Sequence, residues 1–161
     1  MMLAHPEAEW IFWVDSDAVF TDMDFKPPLE KYKDYNLVVH GWSYNVYVRK
    51  TWSRVNSGVF FIRNCQWSMD FLEVWTSMGS QTPNFEKWGQ ILTSTMSDKI
   101  DSEADEQSAL VYLLLTEKET WGVKIYIENE YQLSGYWLDF VDSFDNTSDN
   151  YARIEKEVPE L

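Results

Sequence analysis

Several residue types that mark common classes of protein are scarce in this sequence. Its 161 residues contain a single cysteine, Cys65, which excludes an intrachain disulfide framework, and we expect that thiol to be buried and structural. No run of about 18 apolar residues occurs, and no basic segment followed by an apolar stretch opens the chain. The sequence therefore predicts neither a transmembrane anchor nor a signal peptide.

Positive charge is scarce as well. Thirteen Lys and Arg residues stand against 27 Asp and Glu residues, which gives a net charge of −14. A protein that binds phosphate backbones needs clustered Lys and Arg, so the composition argues against a nucleic-acid partner and against an anionic membrane surface. A nucleotide sugar stays compatible with this charge, because a bound divalent cation reverses the local field.

Aromatic residues, by contrast, are abundant. Nine Trp, nine Tyr and nine Phe are present in a chain long enough for one domain with a core. Core packing accounts for most of them. A surplus of Trp and Tyr also suits a sugar-binding surface, since a flat apolar face with a polar edge matches a pyranose ring.

The segment 10–18 is the most informative part of the sequence. An apolar run leads directly into Asp15, Ser16 and Asp17, which indicates a buried strand whose alternation sends both aspartates to one side while Ser16 points away. Adjacent carboxylates repel unless a cation lies between them, and oxygen ligands suit Mg²⁺ or Mn²⁺, which also bind substrate phosphates. Although Asp-x-Asp pairs are common in surface turns, this one ends a strand and therefore predicts a metal site for a nucleotide diphosphate.

Hydrophobic periodicity predicts an α/β sheet with mixed strand direction, because strands and helices alternate. Asn64 is expected to cap the helix that ends at Gly79, and Ser102 to precede the helix over 103–115. We expect residues 1–140 to form the main domain and residues 141–161 an acidic polar tail that frays or forms a surface helix. The other expected elements are strands at 9–14, 36–40, 58–62 and 123–127, a helical turn at 29–35 and a helix at 85–92.

Two further constellations have both a structural and a functional interpretation. Asn56 and Gly58 precede or open a strand and indicate either a turn or a close approach of ligand to the backbone. Asp105, Glu106 and Gln107 lie at the start of a helix, where acids usually cap the helix and complement its dipole. The functional alternative places them in a cleft beside a sugar.

Taken together, these residues resemble the plant branch of glycosyltransferase family 34, which includes galactomannan galactosyltransferases and xyloglucan xylosyltransferases. The order and spacing of the matching stretches cover nearly the whole chain. They are residues 5–10, 13–22, 36–42, 56–60, 63–68, 105–109 and 128–131.

The resemblance implies a GT-A fold, here a partial one, with a UDP-sugar donor and Mn²⁺. Members transfer a sugar with retention, galactose or xylose, to a β-1,4-linked cell-wall hemicellulose and form α-1,6 branches. They work on the luminal side of the Golgi membrane, where homologous transferases are potential partners.

Roles at the donor are carried over residue by residue. Asp15 and Asp17 would bind the metal and, through it, the UDP diphosphate, with Ser16 between them in the donor site. Asn56 and Gly58 would line the pocket of the donor sugar.

Roles at the reacting and acceptor side follow in the same way. Asp105 and Gln107 would flank the anomeric centre as the catalytic residues, and an amide there favours a front-face mechanism because it is a feeble nucleophile. The resemblance places His40, Trp42 and Glu106 at the acceptor or around the site. His40, a lone histidine at a strand end, is equally compatible with a structural role.

The sequence departs from the family pattern in three places. The family has an upstream anchor and nucleotide-binding portion, a downstream His that supplies a third metal ligand, and an Asp where this chain has Glu106. We therefore expect a fragment of a family 34 transferase. The alternative is a catalytically inactive homologue that binds glycans or a partner. A calcium-binding loop is disfavoured, because the acidic run at 15–24 lacks the EF-hand spacing of Gly and Glu.

Overall fold

Four strands form one mixed sheet in the order β1-β3-β2-β4. The computed structural model describes residues 2–135. The strands are β1 (Trp10–Val14), β2 (Leu37–Gly41), β3 (Val55–Arg63) and β4 (Ile125–Glu128), and the α-helices are α1 (Gln66–Thr76), α2 (Phe85–Thr95) and α3 (Glu106–Thr116). Shorter helical turns occupy Met2–Ala4, Leu29–Tyr32, Asn45–Arg49 and Gly122–Lys124.

The strand directions bring three carboxyl ends to one edge of the sheet. β1 and β2 both pair antiparallel with β3, and β4 pairs parallel with β2. β1, β2 and β4 therefore run the same way, and they end beside the first half of β3. This confirms the predicted α/β sheet of mixed direction. It also brings to one edge the residues at which a ligand of an open sheet is expected.

Apolar residues cover both faces of the sheet, although unequally. Leu37 and Val39 of β2 belong to the larger core, which contains residues of β3 and all three helices. Val38 points the other way and joins Tyr32 and Phe61 in a smaller core beneath the turn at Leu29–Tyr32. All five residues of β2 are buried because side chains alternate along a central strand that is covered on both sides.

Two predicted helix starts are wrong. Asn64 does not cap α1; its side-chain amide donates to the carbonyls of Met2 (3.2 Å) and His5 (2.9 Å), and the extended Cys65 is the N-cap residue. The last α-helix begins at Glu106 rather than at residue 103, with Asp105 as its N-cap. In both places a side-chain contact outside the helix, from Asn64 to Met2 and His5 and from Lys99 to Asp105, accompanies the observed start.

The remaining elements agree with the predicted ones to within a few residues, with β3 and α2 longer than expected. Cys65, however, is only half-buried, with its Sγ 3.5 Å from the Ser68 hydroxyl. The expected acidic tail at 141–161 lies outside the described residues. Within residues 2–135, no helix combines the length and hydrophobicity needed to cross a membrane.

Candidate donor and metal site

A cavity of about 290 Å³ opens at the end of β1. Asp15 and Asp17 both line it, whereas Ser16 does not, which is the arrangement that the Asp-x-Asp spacing predicts. On the other walls lie Asn56, Gly58, Gln132 and Ser134. The first aspartate is anchored by the sheet and the second follows in the exposed turn.

Three contacts fix the position of Asp15. Its main-chain N–H donates to the carbonyl of Gly58 (2.8 Å), so the β1–β3 ladder continues past the end of the strand. The indole Nε1 of Trp13 donates to Oδ1 (3.0 Å). The other oxygen, Oδ2, occupies the space that a side chain on Gly58 would fill, since a Cβ there would lie 2.5 Å from it.

Asn56 stabilises the backbone of the same cavity wall. Its Oδ1 accepts from the main-chain N–H groups of Gly58 (2.9 Å) and Val59 (3.0 Å), so the side chain shapes the backbone on which Asp15 rests. Both residues lie in β3, where its pairing with β2 shifts register, and not in the turn that the sequence suggested. These two bonds leave the amide donors of Asn56 as the groups suited to a ligand in the cavity.

The donor set fits a hard divalent cation with an incomplete protein shell. Asp15 and Asp17 offer carboxylate oxygens, the ligands preferred by Mg²⁺ and Mn²⁺. Across residues 2–135, no group of three or more His, Cys, Asp and Glu side chains is arranged to hold a metal. Two protein carboxylates are typical of a site whose remaining positions belong to water and substrate phosphates.

A second cavity, of about 280 Å³, adjoins the first. The two share Asn56, Gln132, Ser134 and Gly135, so they are neighbouring parts of one cleft. The walls found only in the second cavity include His40, Trp42, Trp52, Ser53, Arg54 and Gln107. The cleft therefore places carboxylates at one end and aromatic and amide groups at the other.

Gln107 is the one predicted residue of its helix start that reaches the cleft. Its Nε2 donates to the carbonyl of Trp52 (3.2 Å), and its Oε1 accepts a long hydrogen bond from the main chain of Ser57 (3.4 Å). These bonds tie the first turn of α3 to two segments of the cleft wall. The amide is thus held in place by its own contacts before any ligand arrives.

Asp105 has the structural role that the sequence left open. Its carboxylate caps α3 by accepting from the Ser108 N–H (2.7 Å), and it pairs with Lys99 Nζ at 2.6 Å. The Lys99 side chain is 1% exposed and also contacts Asp101. Burial alone would lower the pKa of Lys99, but hydrogen bonds to Asp101 and Asp105 outweigh it and raise that pKa. Asp105 lines neither cavity, so its expected place at the anomeric centre stays a prediction.

Glu106 likewise lies behind the cleft. Its Oε1 accepts from the Ser57 hydroxyl (3.3 Å), and its carbonyl accepts from the Trp75 indole (2.6 Å). The glutamate therefore braces the start of β3 against α1 and α3.

His40 and Trp42 contact each other in the second cavity. Their rings meet edge to face with centroids 5.0 Å apart, and both line the second cavity. His40 is 5% exposed, and its Nδ1 makes no hydrogen bond of ordinary geometry within residues 2–135. Burial lowers the pKa of His40, although the nearby carbonyls of Glu128 and Tyr131 oppose that shift. The ring is therefore neutral at pH 7.

Comparison with known proteins identifies the family. The sequence profile of the galactosyl transferase GMA12/MNN10 family, glycosyltransferase family 34, matches residues 1–158. This chain belongs to that family.

Relatives in the family are similar over nearly all of this chain. Galactomannan galactosyltransferase 1 of Cyamopsis tetragonoloba is 54% identical over 161 residues, which are 99% of this chain and 37% of that protein. Glycosyltransferase 6 of Arabidopsis thaliana is 54% identical over 156 residues, 97% of this chain and 36% of that protein. Probable glycosyltransferase 7 of Oryza sativa subsp. indica is 51% identical over 155 residues, 96% and 35% respectively. The chain thus spans a little more than a third of the length of these family 34 relatives.

The sequence did not single out several residues of the cleft. Residues 132–135 are remote from the Asp-x-Asp segment, and only their Ser-Gly pair was readable as a turn. The sequence indicated only that Trp13 is a strand residue, whereas in the structure its indole donates a hydrogen bond to Asp15. Arg54, whose guanidinium suits phosphate or carboxylate, carried no local signal at all.

Proposed function

We propose that this chain carries the metal and donor-diphosphate site of a retaining glycosyltransferase that uses a UDP-sugar. The observation that supports this most directly is Asp15, held by Trp13 and seated against a glycine, beside Asp17 in one cavity. Membership of family 34 and the name of the Cyamopsis relative agree with it. We infer galactose or xylose as the sugar that is transferred.

The cation would be Mn²⁺ or another hard divalent ion. Asp15 and Asp17 are the residues that would hold it, and the ion when bound stabilises the negative charge that develops on the departing diphosphate. The chain's own contribution is to hold Asp15 in position before binding, so no reorganisation is needed. Ser16, which does not line the cavity, would contribute through its main chain to the shape of the turn.

The second cavity is our candidate for the sugar and the acceptor. Asn56 lies at the junction of the two cavities and directs amide donors to a sugar hydroxyl. Gln107 presents an amide that hydrogen bonds hold in place, and an amide is a feeble nucleophile, which favours front-face transfer with retention over a covalent intermediate. His40 and Trp42 form an aromatic wall suited to the acceptor, because Trp42 is 36% exposed while His40 supports it from below.

The acceptor and the setting follow from the same family. We infer a β-1,4-linked cell-wall hemicellulose as the acceptor, α-1,6 branches as the product, and the luminal side of the Golgi membrane as the place of action. Homologous transferases are the protein partners that we infer. The high negative charge agrees with a substrate that is bound through a cation rather than through basic side chains.

The test is a calorimetric titration of Mn²⁺ and UDP into the 161-residue chain. We expect metal-dependent binding that Asp15→Asn/Asp17→Asn abolishes. The matched control is Asp22→Asn/Asp24→Asn, which removes the same charge from the same exposed segment and is expected to bind like the wild type. Absence of binding by a chain that circular dichroism shows to be folded would contradict the proposal for this chain.

One observation supports the alternative of a glycan- or partner-binding role without catalysis. Trp13, Phe20 and Phe25 expose 47%, 57% and 42% of their surface near the cleft. Such a role predicts that oligosaccharides of the hemicellulose bind without metal. It also predicts that Asp15→Asn leaves that binding unchanged, which separates it from the transferase.

A further inference from the structure

The carboxylate of Glu128 is a fully buried charge at the carboxyl end of β4. Its Oε2 accepts from Lys31 Nζ (2.8 Å) and from the Tyr32 hydroxyl, and its Oε1 accepts from the main-chain N–H of Glu130 (2.7 Å). A buried charge is retained only where its lone pairs are satisfied in this way. Glu128 is therefore a fixed junction between the turn at Leu29–Tyr32 and the chain that follows β4.

The junction extends by one more hydrogen bond. The hydroxyls of Tyr32 and Tyr131 are 2.8 Å apart. Since Tyr32 donates its proton to Glu128, Tyr131 is the donor in this second bond. The ring of Tyr131 also packs on Phe25, with centroids 5.0 Å apart. A chain of contacts, which we call the relay, therefore runs from Glu128 through the hydroxyls of Tyr32 and Tyr131 to Phe25. Phe25 belongs to the segment that follows the Asp-x-Asp pair.

The negative charge on Glu128 fixes which group donates and which accepts in both hydrogen bonds of the relay. Burial by itself would raise the pKa of Glu128, but the hydrogen bonds from Lys31 and Tyr32 outweigh it and lower that pKa. Burial and the bond to Glu128 both raise the pKa of Tyr32, so its proton stays on the phenol. At neutral pH the carboxylate is therefore an acceptor only, and both tyrosines are donors.

The relay ends at the wall of the cleft. Residues 132–135 follow Tyr131 directly, and Gln132, Ser134 and Gly135 line both cavities. Phe25 belongs to the segment that begins with Asp15 and Asp17. The two segments that line the first cavity thus meet where Tyr131 packs on Phe25.

We propose that Glu128 is a positioning residue, which through Tyr32 and Tyr131 holds residues 132–135 and the segment from Asp17 to Phe25, whose first half lines the cavity, as the walls of the donor cleft. The consequence for ligand affinity rests on the proposed function, whereas the consequence for the order of these loops does not. Glu128 touches neither cavity itself, so it acts only through the tyrosines.

The experiment compares two variants with a matched control. Glu128→Gln keeps the size of the side chain and removes its charge, and Tyr131→Phe removes the last hydroxyl of the relay while its ring stays on Phe25. The control is Glu130→Gln, because Glu130 pairs with the same Lys31 at 2.8 Å from a side chain that is 70% exposed. The readouts are amide order parameters from ¹⁵N relaxation and the dissociation constant for UDP with Mn²⁺.

We expect the order parameters of residues 130–135 to fall from about 0.85 to below about 0.6 in both variants, while those of β2 and β3 do not change. The dissociation constant is expected to rise about tenfold for Glu128→Gln and about threefold for Tyr131→Phe, the scale of a lost hydrogen bond to a charged and to a neutral partner. Glu130→Gln is expected to resemble the wild type in both readouts.

Each other result has a distinct meaning. Unchanged order parameters in residues 130–135, or a loss of order that leaves affinity unchanged, would overturn the positioning role. If the wild-type chain binds no UDP, the proposed function fails for this chain and the order parameters alone decide this inference. If Glu128→Gln does not fold, Tyr131→Phe decides it.

Discussion

Replacing Gly58 by alanine is the perturbation that most directly tests how the proposed metal site is built. A Cβ at this position would lie 2.5 Å from Asp15 Oδ2 and 3.2 Å from Asp15 Cγ. An ordinary contact begins at 3.4 Å, so the carboxylate oxygen has to move by about 0.9 Å. The backbone itself accepts alanine, because no glycine in residues 2–135 has a positive φ.

The cost in stability is expected to be small. The atom that must move is the end of a side chain, which costs about 0.5–1.5 kcal/mol if Asp15 leaves its preferred rotamer and about 1 kcal/mol if the bond from Trp13 is lost. Alanine returns about 0.4–1 kcal/mol by restricting the unfolded chain. The net change is about 1 kcal/mol, which lowers the melting temperature by about 2–4 °C for a domain of this size.

The cost in metal affinity is expected to be much larger. Metal–ligand distances tolerate only about 0.2 Å, so a carboxylate displaced by about 0.9 Å no longer meets the ion together with Asp17. Loss of the support around a ligand usually lowers affinity by about 10–100-fold, and we expect a loss in that range. The prediction is therefore a near-normal melting curve combined with greatly weakened Mn²⁺ binding.

The assay is a Mn²⁺ titration followed by electron paramagnetic resonance, with UDP present, alongside thermal unfolding. Gly79→Ala is the control, since a Cβ there meets its nearest atom at an ordinary 3.5 Å. If Gly58→Ala binds Mn²⁺ as tightly as the wild type while Asp15→Asn abolishes binding, the seating of Asp15 against Gly58 is not needed for the site. A collapse of stability in Gly58→Ala would refute the view that only the carboxylate moves.

Three further predictions follow from the same contacts. Trp13→Phe keeps an aromatic ring at the position that stacks on Phe60 and removes the donor to Asp15, so we expect about threefold weaker Mn²⁺ binding and about 1 kcal/mol less stability; equal affinity would show that the bond is dispensable. Lys99→Met leaves Asp105 without its cation, and we expect about 2 kcal/mol less stability in urea unfolding, whereas an unchanged midpoint would show that the Lys99–Asp105 ion pair does not stabilise the fold. Because the pKa of Glu128 is lowered from its usual 4.5, its contribution to the free energy of unfolding is complete above pH 4.5 and is lost as the pH falls through the lower folded pKa. We expect Glu128→Gln to lose less stability than the wild type over this acidic range, and an equally steep loss in the variant would be the contrary result.

Local patterns were sufficient for most of the fold. Apolar runs marked all four strands, because burial on one or both faces of a sheet leaves a direct record in the residues. The Asp-x-Asp pair was readable for a related reason: a buried strand that ends in carboxylates must bring them out at an edge. The positions of Asn56 and Gly58 were readable only as alternatives, and the structure places both residues in β3 and in the cavity wall rather than in a turn.

The start of α3 shows where local patterns fail. Glu103, Asp105 and Glu106 suit the start of a helix equally well, so the sequence does not indicate at which of them the helix begins. The choice falls on Asp105 because Lys99 is buried and needs that carboxylate, a contact that no periodicity encodes. The prediction that Asn64 caps α1 was wrong for a similar reason, since its amide donates instead to the carbonyls of Met2 and His5.

The sequence by itself thus determined the class of fold, the family and the pair of carboxylates that we propose as metal ligands, because each depends on neighbours along the chain. Only the tertiary structure decided which groups surround those carboxylates. Trp13, Gly58 and residues 132–135 meet at one edge because β1, β2 and β4 run in the same direction beside β3. The surroundings of Glu128 were decided in the same way, since Lys31 and Tyr32 reach its buried carboxylate only when distant segments of the chain pack together.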